Sequence, residues 1–198
     1  MIKVGITGII GSGKSIVSTI FGSLGIPVYN ADSHAKSLMI TDDNIISSLK
    51  SRFGNEVYIN NEINKQFLSH KIFSSESDRQ FVNSIVHPVV INDFIFWAKN
   101  QNTDITAIES ALIFEAGIDK ILDYTILVQS TPELSSYRIL KRDNISVEEA
   151  IRKIRLQQKN INDDINVSFY VFNNEEESLI LQCLEVYNKI KDKNGKTR

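Results

Sequence analysis

Eight consecutive residues, Gly8-Ile9-Ile10-Gly11-Ser12-Gly13-Lys14-Ser15, fit the pattern G-x-x-x-x-G-K-[ST] without a gap. Glycines let a backbone curl so that successive N–H groups point at one anion. An ammonium group at Lys14 adds a point charge for β- and γ-phosphates, and a hydroxyl at Ser15 suits Mg²⁺. The pattern has chemical meaning only where a strand precedes it and a helix follows. Residues 2–7 form a β-branched apolar run ending at a glycine, as a buried strand does. Residues 14–24 carry Ile16, Val17, Ile20, Phe21 and Leu24 at helical spacing, with Gly25 as the stop. The expected nucleotide contacts are therefore Gly8, Gly11, Ser12, Gly13, Lys14, Ser15 and Ile16. The bland alternative, a glycine-rich turn with a chance lysine, does not require this strand and helix.

Three classes of protein share such a loop. A GTPase switch needs Asn-Lys-x-Asp, and the closest string, Asn188-Lys189-Ile190-Lys191, has lysine in place of the aspartate and lies in a terminal helical pattern. A motor ATPase needs an apolar strand ending in Asp-Glu, which Glu109-Ser110 meets imperfectly. A small-molecule kinase needs a carboxylate base and arginines that clamp the transferring group. Asp32 follows the second expected strand, where the ends of parallel strands share one edge. It is suited to be that base, or equally to cap the next helix. Arg138 and Arg142 are spaced i, i+4 on one expected helix. They could bracket phosphate oxygens or form a solvated basic face.

The elements that must position these groups alternate. Strands are expected at 2–7, 26–29, 106–113, 124–129 and 169–172. Helices are expected at 14–24, 31–39, 41–53, across most of 64–101, and at 132–142, 147–159 and 175–190. Ser146 and Glu149 read as a capping box, and the polar stretch 189–198 is expected to fray. Alternation implies an α/β fold: a mostly parallel sheet with helices on both faces, in three layers. The helical stretch interrupts that rhythm, which gives a core of 1–40 and 104–198 with an inserted, acceptor-binding lobe at about 41–103 that closes over the site.

The chain has 198 residues, 42% apolar and 23% charged, with net charge −2, values ordinary for a folded domain. That balance gives no bulk attraction to nucleic acid or anionic membrane. The single cysteine, Cys183, forms no internal disulfide or CxxC pair, which fits a reducing, cytoplasmic setting. The opening residues are too soon interrupted by glycine for a signal peptide, and no run of about 18 apolar residues suggests a membrane span. His34 and His70 lack metal-ligand spacing. His87, before Pro88, is expected at a helix boundary in extended conformation. The aromatic run Phe94-Ile95-Phe96-Trp97 reads first as core.

Several strings together resemble dephospho-CoA kinases. They are the loop at 8–15, the run from Gly25 to Asp32, Phe53-Gly54, Leu68 to Phe73, His87-Pro88, Leu112-Ile113-Phe114-Glu115, Arg138 to Asp143, and Gln157. The resemblance covers nearly the whole chain. It implies a nucleoside-monophosphate-kinase-like P-loop fold with a five-stranded parallel core. It implies transfer of the γ-phosphate of ATP to the 3′-hydroxyl of dephospho-CoA, with Mg²⁺, in the last step of coenzyme A synthesis. By the family pattern Asp32 is the base, and Lys14 and Arg142 act on the phosphates, with Arg138 a further contact. Ser15 and Glu109 serve the metal, and Lys65, His87 and Glu115 join Asp32 in holding the acceptor. A monomer or weak homo-oligomer is expected.

The sequence departs from the pattern at Asn30, where the family has the first aspartate of Asp-Ala-Asp, and at Asn64-Lys65, where Asp-Arg is common. It departs also at Ala111 for proline, Ser135 for glutamine and Val167-Ser168 for Ala-Asp. Two other readings follow from the residues: a kinase for another nucleotide or nucleoside, and an ATP-binding module without transfer activity.

Overall fold

The structure, a computed structural model, describes residues 1–143, 145–158 and 165–195. Two compact units are formed, one from Met1–Tyr29 with Gln101–Arg198 and the other from Asn30–Asn100.

The first unit is built on a five-stranded sheet. Its strands are β1 (Ile2–Thr7), β2 (Val28–Asn30), β5 (Ile105–Glu109), β6 (Tyr124–Gln129) and β7 (Phe169–Phe172), in the order β2-β5-β1-β6-β7. The chain leaves β1 toward one side and later returns to β6 on the other, so β1 is central, pairing in parallel with both β5 and β6. Ligands of open α/β sheets bind beyond the strand ends at such a reversal. β1 is buried on both faces, as a strand between helical layers must be. One face packs Val4, Ile6, Ala107, Ile126, Val128 and Val171 against Val17 and Phe21 of α1 (Lys14–Ser23) and against Cys183, Val186 and Ile190 of α8 (Leu179–Gly195). Burying each large side chain contributes roughly 1.5–3 kcal/mol, so this face anchors the loop between β1 and α1. α6 (Pro132–Asp143) and α7 (Val147–Gln158) share a smaller core of Ile139, Ala150 and Ile154, with Ile9 and Ile10 of the loop packed against it.

The second unit contains α2 (Ala31–Thr41), α3 (Asp43–Phe53), a short hairpin of β3 (Tyr58–Ile59) and β4 (Glu62–Ile63), α4 (Lys65–Ser74) and α5 (Glu76–Lys99). α5 buries Val82, Val86, Val90, Phe94 and Ala98, a stripe at four-residue intervals, and packs against α2, α3 and α4. By length and mean hydropathy, 1.3, α5 is apolar enough to cross a membrane. Polar residues interrupt its apolar ones, so it contains no continuous apolar run of about 18 residues. A core helix has the same composition, and the stripe is of that kind.

Five expectations need correction. The strand expected over 106–113 ends at Glu109. The Ser110 hydroxyl accepts the Leu112 amide at 3.0 Å and turns the chain, while Ile113 enters the core from a turn. The helix expected over 41–53 breaks at Asp42, which is extended and accepts the Ile45 amide at 2.9 Å, so that it caps α3. His87 is not at a boundary: it lies inside α5, as does Pro88. A mid-helix proline costs about 3 kcal/mol, and the buried stripe running past it offsets that cost.

The last helix begins at Leu179 rather than Glu175, whose φ of 69° lies in the left-handed region. The Asn174 side chain accepts the amides of Glu176 and Glu177 in a local turn instead. Finally, α8 runs to Gly195 where fraying was expected from 189. Lys193 lies over the rings of Tyr124 and Phe169, and Lys189 pairs with Glu185 at 2.6 Å, an exposed pair of small weight. Residues 159 and 196–198 lie outside the described residues.

Candidate active site

The loop between β1 and α1 is shaped by its glycines. Gly13 (φ 99°) caps α1 without a side-chain hydrogen bond. No acidic residue occupies the first turn of that helix, so its positive end is left for an anion. Gly11 (φ 80°) lies so close to α6 that a Cβ there would sit 2.5 Å from the Ser135 carbonyl oxygen. The Ser12 amide donates to Ile9 O at 3.2 Å, and the Ile10 amide to Gln157 Oε1 at 2.5 Å, which ties the loop to α7. Lys14 folds its ammonium back onto the loop, donating to the carbonyls of Gly8 at 2.9 Å and Ile9 at 3.1 Å. The Ser12 hydroxyl is fully buried and has no hydrogen-bond partner among the described residues. Ser15 and Ile16 are exposed on the first turn of α1.

The two arginines of α6 part company. Arg138 turns onto the loop: Nη1 donates to Ser130 Oγ at 3.1 Å and to Gly11 O at a marginal 3.5 Å. Its Nη2 donates to Asn173 O at 3.2 Å and to Glu175 Oε1 at 3.2 Å. Arg142 is exposed and grips its neighbour Asp143 in a two-pronged ion pair at 2.6 and 2.9 Å. That pairing raises the arginine's pKa and lowers the aspartate's. The single shared face expected from i, i+4 spacing is therefore not formed by their guanidinium groups.

Glu109 ends β5 in register with Ile6 of β1, one residue before the strand's end at Thr7. Ser15 and Glu109 offer a hydroxyl and a carboxylate, which suits a hard cation that keeps most of its water. Among the described residues no group of three His, Cys, Asp or Glu forms a metal cage, and Mg²⁺ bound with phosphates does not need one. Glu115 is exposed in the turns after β5. Beside the loop, a cleft of about 590 Å³ is lined by Ile9, by residues 127–131 and by Phe172 and Asn174.

In the second unit, Asp32 is exposed in the first turn of α2 and does not cap it. Among the described residues its carboxylate has no hydrogen-bond partner. Lys65 is the exposed first residue of α4, capped by Asn64, which accepts the Phe67 amide at 3.2 Å. His87 is half-buried in mid-α5. His34 pairs with Asp93 at 3.0 Å.

A family model described as dephospho-CoA kinase matches residues 2–179. The chain belongs to the dephospho-CoA kinase family. Relatives named dephospho-CoA kinase include one from Bacteroides fragilis, 37% identical, covering 96% of this chain and 95% of its own. Another, from Porphyromonas gingivalis, is 38% identical over 80% of this chain and 79% of its own. Among solved structures, a Thermus thermophilus protein superposes with a TM-score of 0.82 at 26% identity, covering 95% of this chain and 96% of its own. The dephospho-CoA kinase of Campylobacter jejuni has a TM-score of 0.62 at 23% identity, covering 97% and 98%, and supports the fold.

Within the family frame, two departures have a physical reading. Asn30 caps α2 by accepting the Ser33 amide at 2.9 Å, a job asparagine does as well as aspartate. The Ser168 hydroxyl accepts the Thr125 amide at 3.1 Å and so joins the start of β7 to β6.

Asn173 and Ser130, which hold Arg138, and the hairpin at 58–63 were not expected from the sequence. The hairpin had a signal, since Asn60 and Asn61 (φ 51° and 64°) are two residues tolerant of the left-handed region between short apolar-polar pairs. Asn173 had none, because its partners are 161 and 35 residues away.

Proposed function

We propose that this protein transfers the γ-phosphoryl group of ATP to the 3′-hydroxyl of dephospho-CoA, the last step of coenzyme A synthesis. The observation that carries the proposal is that the family match spans residues 2–179 and includes an intact phosphate loop with its lysine. In this reading the acceptor oxygen bonds to the γ-phosphorus, the bond to the β–γ bridging oxygen breaks, and ADP leaves with that oxygen. Asp32 takes the acceptor's proton. Support comes from its place two residues beyond β2 and from its exposed carboxylate. Lys14 and the loop amides bind the β- and γ-phosphates, and Arg138 braces the loop that presents them. Arg142 leaves Asp143 to contact the transferring group, as lid arginines do. Ser15, and Glu109 through water, would hold Mg²⁺, which when bound neutralises charge on the phosphate oxygens. The cleft beside Ile9 accommodates the nucleoside.

Lys65, His87 and Glu115, with Asp32, are assigned to the acceptor, and residues 41–103 to the lobe that receives it. A cytoplasmic monomer or weak homo-oligomer is proposed, with no nucleic-acid or membrane partner, in keeping with a net charge of −2 and a lone buried cysteine. The test is ADP release from ATP and Mg²⁺ with a panel of acceptors. Turnover with dephospho-CoA supports the reading. Turnover with nucleosides alone, or tight ATP binding without turnover, overturns it.

A further inference from the structure

Asn173, one residue beyond β7, uses every polar group it has. Its amide donates to Gln129 O at 2.8 Å, at the end of β6. Its carbonyl oxygen accepts from Arg138. Its side-chain Nδ2 donates to Ser12 O at 2.8 Å, and its Oδ1 faces Arg138 Nη2 at 3.4 Å. The two side-chain contacts fix the orientation of the carboxamide, since only nitrogen can donate to the Ser12 carbonyl and only oxygen can face a guanidinium. The group also lies against Gly13, where a Cβ would collide with Nδ2. Ser12 and Gly13 are the residues whose backbone turns from loop into helix, so Asn173 grips the phosphate loop where it enters α1.

Asn173 is itself held. Its neighbour Phe172 donates its amide to Gln182 Oε1 at 2.7 Å and accepts Gln182 Nε2 at 2.9 Å. The side chain of α8 thus pairs with a strand at the sheet edge as another strand would. A continuous polar chain runs Gln182, Phe172, Asn173, then to Ser12 and to Arg138. All of it lies in the first unit.

We infer that Asn173 is a positioning residue for the polyphosphate: its carboxamide sets the curvature of the loop at Ser12–Gly13 and the direction of Arg138, and so the geometry of the anion pocket. The inference rests on the kinase reading for its role in turnover but not for its test, which reads binding without acceptor. Titrations of wild type and Asn173→Ala with ATP, inorganic tripolyphosphate and adenosine would be compared, with circular dichroism to verify folding. Losing one hydrogen bond to an anion-binding loop predicts about tenfold weaker ATP and tripolyphosphate binding, with adenosine affinity within twofold of wild type. Equal loss for adenosine, or tripolyphosphate binding within twofold of wild type, overturns the inference. Should the alanine variant not fold, Asn173→Ser carries the same comparison, its hydroxyl being too short to span to Ser12. A wild type that binds ATP but does not turn over dephospho-CoA would refute the kinase reading and leave this comparison intact.

Discussion

The Asn30 carboxamide oxygen accepts the Ser33 amide at 2.9 Å and caps α2, which relieves Asp32 of that duty. Of the two roles that the sequence offered to Asp32, capping falls to Asn30. Asn30→Ala should cost about 1 kcal/mol of stability, read as a lower urea midpoint. Asp32→Asn should change stability by less than about 1 kcal/mol, the value of a first-turn charge at a helix end. It should leave ATP affinity near wild type and collapse kcat. A loss of ATP affinity with kcat preserved would make Asp32 structural.

Lys14→Ala removes the ammonium group that sits on the Gly8 and Ile9 carbonyls. A preorganised charge aimed at a developing anion is typically worth 10²-fold or more, about 3 kcal/mol, in kcat. Steady-state ADP release should show that loss, and near-normal turnover would refute it.

Arg138 and Arg142 should separate kinetically. Arg138→Ala loosens the loop, so the KM for ATP should rise. Arg142→Ala removes an exposed pair, worth at most about 1 kcal/mol to stability. It should lower kcat while leaving ATP binding in place. Identical kinetic signatures for the two variants would contradict the division seen on α6.

Cys183 lies on the core-facing side of α8 and is fully buried, and burial pushes its thiol pKa up from 9.0 to about 11. A thiol reagent at pH 8 should therefore label the native protein only at the rate of unfolding, and label the unfolded chain at once. The unfolded thiol releases its proton first as pH rises. Its contribution to stability is thus intact below pH 9 and is lost as pH climbs toward about 11. Native labelling as fast as that of a free thiol would show the helix to be open.

How far residues reveal structure depended here on the separation of the partners. The phosphate loop was legible because a strand, a glycine-rich turn, a lysine and a helix follow one another within two dozen residues. Each is set by local backbone preference and by hydrophobic period. The cap at Ser146 was legible for the same reason, and it forms, the Glu149 amide donating to the Ser146 hydroxyl. The five strands and their parallel arrangement followed from alternation with helices. Three boundaries failed where a polar side chain overrode periodicity: Ser110 ends β5 early, Asp42 caps α3, and Asn174 delays α8. His87-Pro88 failed because the local cost of proline was outweighed by a buried stripe along the whole of α5.

The amino-acid sequence by itself determined the anion-binding loop, the α/β class and the family, since these depend on residues near each other in the chain or on the order of elements. Tertiary structure alone decided that Arg138 faces the loop while Arg142 faces Asp143, and that Asn173 closes on Ser12. Those choices turn on hydrogen bonds between groups brought together when β6, β7 and α6 pack beside β1. No periodicity along the chain encodes which of two arginines on one helix will meet a carbonyl from the far end of the fold.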